Sequence, residues 1–318
     1  MKVKYLNMIL DKNNNILKIL FGGIVGIILI YYSIQDFNFY KFKKIISEVN
    51  LKLIFLSAAF LVFSVYIRAL RWKILLSSEC STKFLYKSQL IGYFGNNLLP
   101  LRLGELLRTY VVGENYNMSK SRVFGSIVLE RILDMFITGI FILFILFFNS
   151  NFFYNINIIL FYGLFFIVGI GTIGIILAYK KIEFSSKNSN KILLIIHDIY
   201  KGFANLNSSN IIYISIFTII IWAIYLLQVY LMQYAFSLNL SINQTLILLV
   251  ISTAAISIPA LPGNFGTFEG SVVYSLSLFN IIDNFGFAFI LHFISFIPYT
   301  LLGLFYTLEN FNLIKSKK

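Results

Sequence analysis

Thirteen residues, Asn96-Asn97-Leu98-Leu99-Pro100-Leu101-Arg102-Leu103-Gly104-Glu105-Leu106-Leu107-Arg108, limit what this chain can fold into. They lie among segments greasy enough to span a bilayer. Yet they carry two amides, a proline, a glycine, a carboxylate and two guanidinium groups. Charge at membrane depth is costly and marks a functional place. Pro100 and Gly104 interrupt a helix and leave backbone groups free. Such a break survives in a membrane only where it faces protein or a wet cavity. The stretch therefore predicts a re-entrant pair of half-helices lining a polar cavity. The first half-helix is Phe84–Phe94, the break Asn96–Arg102, and the second half-helix Leu103–Gly113.

The rest of the chain agrees with a membrane setting. Of 318 residues, 58% are hydrophobic and only 12% charged, about half the charge of a soluble domain. The apolar runs are too long and too uniform for barrel strands. The formal net charge of +13 must sit in short loops and tails, where it sets topology and meets anionic lipid. No soluble domain exists to carry a nucleic-acid-binding face. The single cysteine, Cys80, excludes an internal disulfide and a thiolate zinc cluster. Neither a metal site nor a cofactor motif is expected.

Six spans follow from hydrophobic length: about Ile16–Ile34, Leu51–Ile67, Arg122–Phe148, Ile156–Tyr179, Ile211–Phe236 and Phe285–Leu308. The first has no small-residue cleavage site after it and reads as a retained span. Residues 35–50 alternate aromatic and basic groups, as an interfacial helix does. The basic loop 180–210 reads as a surface segment, with His197 on it. His292, alone on the last span, reads as a structural histidine.

A second interrupted segment runs from Ser257 to Gly270 and holds Pro259, Pro262, Gly263, Gly266 and one carboxylate, Glu269; Ser271–Phe279 then resumes a helix. The pattern Leu99-Pro100-x-x-x-Gly104 recurs as Leu261-Pro262-x-x-x-Gly266, 162 residues on. Each half then reads as span, span, re-entrant pair, span. Three crossings per half make the halves inverted. Residues 149–155 and 237–284 contain no Lys or Arg, whereas 68–122, 180–210 and the tail are basic. Both termini are therefore expected in the cytoplasm of a multi-pass plasma-membrane protein. The expected fold is all-α and polytopic: one membrane domain over 1–318, with repeat one about 16–148 and repeat two about 156–309. Inverted repeats with paired broken segments are a transporter architecture.

The candidate site residues are the polar groups at these breaks and on the neighbouring spans. Arg68 and Arg71, three apart, share a helix face with Trp72 beside them. They read either as snorkelling interfacial anchors or as a phosphate clamp. Arg102, at the start of a half-helix, adds its charge to free N–H groups, with Asn96 and Asn97 nearby. Glu105 is expected to pair with Arg108 or Arg131. Glu130, Arg131 and Asp134 read either as a buried charge network or as a polar cavity wall. Asn264 and Glu269 belong to the second break. Glu269, with no Lys or Arg near it in sequence, is expected to be the freer carboxylate. Both breaks are expected to meet at one shared cavity.

These motifs resemble the membrane region of lysylphosphatidylglycerol synthases, also found as stand-alone flippase-like proteins. The matching residues are Arg68-x-x-Arg71-Trp72; Asn96-Asn97-x-x-Pro100-x-Arg102-x-Gly104-Glu105-x-x-Arg108; Glu130-Arg131-x-x-Asp134; and Pro262-Gly263-x-x-Gly266-x-x-Glu269. Asn264-Phe265 stands where members often have a small residue and a glycine. The resemblance implies movement of lipid between leaflets. It implies no synthase activity, because the soluble aminoacyl-transferase domain does not follow before Lys318, so the chain is not expected to be an enzyme.

The expected function is a flippase-type transporter for an anionic phospholipid or a polyprenyl-phosphate-linked lipid. Membrane lipids are its partners, and a separate lipid-modifying enzyme is a candidate partner. Two alternatives are a membrane-embedded transferase acting on a lipid phosphate, with Glu105, Asp134 or Glu269 as base, and a small-ion carrier with relaying carboxylates.

Overall fold

The structure, a computed structural model, describes residues 49–76, 80–99, 102–148, 208–257, 262–281 and 285–316, with 47, 169–171 and 174. The expected first span, and all but four residues of the fourth, lie outside the described residues. So do most of the interfacial helix 35–50, the basic loop with His197, and Pro100. Among the described residues the chain is helical and contains no strand.

Eight helices carry the described part: α1 Leu51–Leu76, α2 Thr82–Leu98, α3 Gly104–Asn115, α4 Lys120–Phe148, α5 Ser208–Ala235, α6 Ile242–Ser257, α7 Thr267–Ser277 and α8 Phe285–Ser316. A short 3₁₀ turn, Pro262–Asn264, stands between α6 and α7. Three helices, at 51–76, 210–235 and 285–309, are long and apolar enough to cross a membrane. At 1.5 Å per residue each reaches roughly 38 Å, beyond the ~30 Å hydrocarbon core. Their outward faces are apolar. Phe55, Ile212, Leu301 and Phe305 are all more than half exposed, a surface that suits lipid and not water.

α1 and α5 pack along one another and form the spine; α2 lies along α8; α3 folds back on α2, and α7 on α6. The core between these layers is built from Trp222, Val229, Met232, Phe268, Val272 and Phe287.

The helix ends differ from the sequence reading at four places. α1 runs on past Ile67 to Leu76, and Arg68, Arg71 and Trp72 are buried, not snorkelling. Their charges find partners on α4, so helix and side chains stay inside. α2 runs through Asn96 and Asn97 to Leu98, so the first break begins at Leu99. Asn97 does not compete with its own backbone. Its Nδ2 donates to Thr300 Oγ1 at 2.8 Å and to the Phe296 carbonyl at 3.3 Å, both on α8. α7 starts at Thr267 and not at Ser271, because Glu269 reaches back to the Gly266 N–H at 2.8 Å and caps the helix early.

Gly104 is the fourth difference. The sequence marks it as a break residue, but it has no positive φ; among the described glycines only Gly263 and Gly266 do, at 67° and 81°. Its function is close approach. A Cβ on Gly104 would strike the Gly92 carbonyl and come within 2.5 Å of the Asn96 nitrogen. A Cβ on Gly95 would lie 2.7 Å from the Gly104 Cα. α2 and α3 therefore cross backbone to backbone. α2 meets α8 as tightly: a Cβ on Gly303 would strike the Leu90 carbonyl. Near that seam, Lys87 Nζ bonds Glu309 at 2.6 Å.

Gly104→Ala is expected to lower the thermal midpoint of the detergent-solubilised protein, since two backbones must separate. Gly270, on α7, has open space where a Cβ would go. Gly270→Ala is expected to be neutral or to stabilise by up to about 1 kcal/mol, through helix propensity. Equal losses from the two substitutions would refute this packing.

Candidate functional site

The α1 face that bears Arg68 and Arg71 meets the α4 face that bears Glu130 and Asp134. Arg68 Nη2 bonds Glu130 Oε1 at 2.6 Å and Asp134 Oδ2 at 3.2 Å. Arg71 Nη2 bonds Asp134 Oδ1 at 2.8 Å and lies 3.4 Å from Glu130 Oε1. From α3, Arg108 Nη2 donates to Glu130 Oε2 at 2.8 Å. The Nη1 groups are used as well: Arg68 Nη1 donates to the Tyr225 hydroxyl at 3.1 Å, and Arg71 Nη1 to Thr218 Oγ1 at 3.0 Å. Trp72 closes the back. Its Nε1 donates to Ser126 Oγ at 2.9 Å, and the Arg108 guanidinium sits 4.6 Å from its ring centroid.

A second pair lies in front of this network. Arg131 Nε is 3.1 Å from Glu105 Oε1, and Arg131 Nη1 is 3.6 Å from Asp134 Oδ2. Glu105 thus takes Arg131 and not Arg108, one of the two partners the sequence proposed. Arg108 is drawn inward to Glu130. Five arginines (68, 71, 102, 108, 131) face three carboxylates (105, 130, 134). Two positive charges are left in surplus, and Arg102 makes no ion pair among the described residues. Its backbone is left-handed, at φ 57°, a strained state for a long side chain.

A cavity of about 870 Å³ opens in front of these groups. Of the residues singled out from sequence, Arg68, Asn96, Asn97, Arg102, Glu105, Arg131, Asp134, Gly263 and Asn264 line it. The two interrupted segments thus meet at one cavity. Arg71, Arg108 and Glu130 do not reach its wall. They are at most 3% exposed and sit behind it, holding the lining in place. Gly104, Pro262 and Gly266 also lie off the wall.

Glu269 is not the free carboxylate that its sequence neighbourhood suggested. Its Oε1 lies 2.7 Å from His292 Nδ1, and its Oε2 accepts from Gly266 N–H. His292, read as structural, lines the cavity and is the residue that sequence reasoning most underrated. Tyr93, Tyr225 and Tyr299 were missed as well. Tyr93 and Tyr299 stack at 4.7 Å on the wall, and Tyr225 receives Arg68. Trp222, Tyr225 and Gln228 stand three residues apart along α5, so one stripe of that helix faces inward. A polar residue at every third position of an apolar span was the available signal. Gln228 Nε2 and Trp222 Nε1 are buried without a protein partner.

Chemically, the arrangement suits an anion. It offers surplus guanidinium charge, one unpaired fork and neutral hydrogen-bonding groups around it. Among the described residues no three His, Cys, Asp or Glu side chains stand as a metal site.

A family model described as the lysylphosphatidylglycerol synthase TM region matches residues 15–303. The chain is also similar to the UPF0104 membrane protein MJ1078 of Methanocaldococcus jannaschii, with 28% identity over 235 residues. That stretch covers 71% of this chain and 98% of that relative. No solved structure matches.

Glu130→Ala takes a carboxylate from three buried guanidinium groups, leaves Arg108 with no ion pair among the described residues, and is expected to cost about 3–5 kcal/mol of stability. Glu105→Ala breaks a pair that is partly open to the cavity and is expected to cost about 1 kcal/mol or less. Equilibrium unfolding in mixed micelles measures both, and a mild Glu130→Ala would refute the network's structural role.

Proposed function

Because the chain belongs to the lysylphosphatidylglycerol synthase TM region family, we propose that it moves an anionic lipid between the leaflets of the plasma membrane. The observation that carries this reading is the unpaired Arg102 on the wall of a cavity already rich in arginine. A lipid phosphate would take that fork, with Asn96 and Arg68 beside it. The apolar outer faces of the spans would remain with the acyl chains. Anionic phospholipids and polyprenyl-phosphate-linked lipids share this recognition chemistry.

The inverted repeat belongs to the same proposal. Shifted back by 162 residues, α5, α6, α7 and α8 fall over α1, α2, α3 and α4 to within a few residues. Arg102 and Asn264 then occupy one position, two residues after Pro100 and Pro262, with φ 57° and 58°. Six crossings, two re-entrant pairs and a midplane site between the halves describe an alternating-access carrier. The transferase alternative has less support, because Glu105 and Asp134 are engaged by arginines.

In proteoliposomes, the wild type is expected to move acyl-labelled phosphatidylglycerol without changing its mass. Arg102→Ala is expected to slow this on the order of ten- to a hundredfold, the worth of a charged hydrogen bond, at unchanged thermal midpoint. Arg102→Lys should recover part of the rate, since an ammonium cannot fork. Normal transport by Arg102→Ala would sink the phosphate role, and a new lipid mass would favour the transferase.

Topology is checked separately. In a Cys80→Ser background, a cysteine at position 150 is expected to label from outside intact cells and one at position 190 only after permeabilisation. Outside labelling at 190 would reverse the proposed orientation.

A further inference from the structure

Each interrupted segment is followed by a helix that is tied to the next one. Arg108 of α3 donates to Glu130 of α4 at 2.8 Å. His292 of α8 meets Glu269 of α7 at 2.7 Å. In the proposed repeat Glu130 and His292 occupy one position, 162 residues apart, and Glu269 falls one residue before the counterpart of Arg108. The two ties are built alike but with the charges exchanged. In the first, base and acid are permanently ionised. In the second, the base is a histidine, the side chain that titrates near neutral pH.

The atoms of the second tie are assigned by their chemistry. A carboxylate only accepts, so Nδ1 of His292 carries a hydrogen and donates to Glu269. Nε2 is then the basic nitrogen, and it makes no hydrogen bond among the described residues. The rings of Phe265, Phe268 and Phe296 lie 4.9, 4.8 and 6.0 Å from the imidazole. The remaining approach is from the cavity that His292 lines. Glu269 also caps Gly266, so one carboxylate holds both the histidine and a turn with three left-handed residues, Gly263, Asn264 and Gly266.

We propose that His292 and Glu269 form a proton-binding site, with Nε2 as the acceptor, and that transport through the cavity is coupled to its occupancy. The coupling rests on the lipid reading above; the proton site does not. A proton from solution adds to Nε2, and the imidazolium forms an ion pair with the Glu269 carboxylate. No other bond changes. The charged or titratable groups that share the cavity are Arg68 of α1, Tyr93 of α2, Arg102, Glu105 of α3, Arg131 and Asp134 of α4, Tyr225 of α5, and Tyr299 of α8. α6 contributes none. The wall holds three cations and two anions, and the Glu269 carboxylate beside His292 is a third anion. A proton on His292 tips that balance to positive and favours entry of an anion. By linkage, departure of the anion favours loss of the proton. The tie between α7 and α8 alternates between an ion pair and a neutral hydrogen bond, next to the turn that it caps.

The chain holds two histidines, His197 and His292. His197→Gln protein labelled with ¹⁵N-histidine therefore reports one imidazole by NMR in detergent. The imidazole signals are expected to change in a single step as Nε2 takes up its proton, and the midpoint to move in Glu269→Gln, which keeps an acceptor for the Gly266 N–H. No step over the pH range in which the protein stays folded, or an unmoved midpoint, overturns the proton site. In a second arm, transport of acyl-labelled phosphatidylglycerol is followed across the same pH range. Wild-type transport is expected to change severalfold, and His292→Gln to be flat. Parallel profiles, with Glu269→Gln also like wild type, overturn the coupling. A wild type that transports at no pH overturns both the lipid reading and the coupling, and the NMR titration still decides the site.

Discussion

The rest of the structure depends on how Glu130 is kept charged inside the protein. The carboxylate has no exposure and accepts from Arg68, Arg71 and Arg108. Removing such a group from water costs several kcal/mol, which only well-placed counter-charges offset. Those counter-charges come from α1 and α3, so two helices converge on one side chain of a third, α4. The relation between the first interrupted segment and the spine is fixed by this convergence, not by apolar packing alone. Apolar packing gives little direction where lipid is as greasy as the core.

A division of labour follows. The arginines that hold the fold are sealed behind the wall, and those that face the cavity are held by them. Arg68 belongs to both sets: it bonds Glu130 and Asp134 and still lines the cavity. Arg102 belongs only to the front. Its charge is balanced by no partner within the described residues, and its backbone is held in the left-handed region. Strain of that kind persists where the surroundings enforce it, and it gathers at functional places.

Much of this was legible in the sequence because charge has few options in an apolar setting. The spans that became α1, α5 and α8 follow from hydrophobic length. Glu105 could only go to Arg108 or Arg131. The interrupted segments had to meet water or each other. The parts that were not legible depend on neighbours distant in sequence. Asn97 looks like a helix breaker until Thr300, on α8, takes its amide. Arg71 and Trp72 look like interfacial anchors until α4 supplies carboxylates and Ser126. Gly104 looks like a hinge, although the Gly92 carbonyl against it is what excludes a side chain. His292 gives no sign in sequence that Glu269, 23 residues earlier, will face it.

The seam between α2 and α8 has a mechanical meaning. It is closed by the glycine contact at Gly303, by the Asn97–Thr300 bond at 2.8 Å and by the Lys87–Glu309 pair at 2.6 Å. These points run from Lys87 to Asn97, about two thirds of α2, so the two helices are joined like one beam. A lipid-filled side opening would have no room along that seam. The first interrupted segment hangs from the end of the beam, and any tilt of the last span would carry it along.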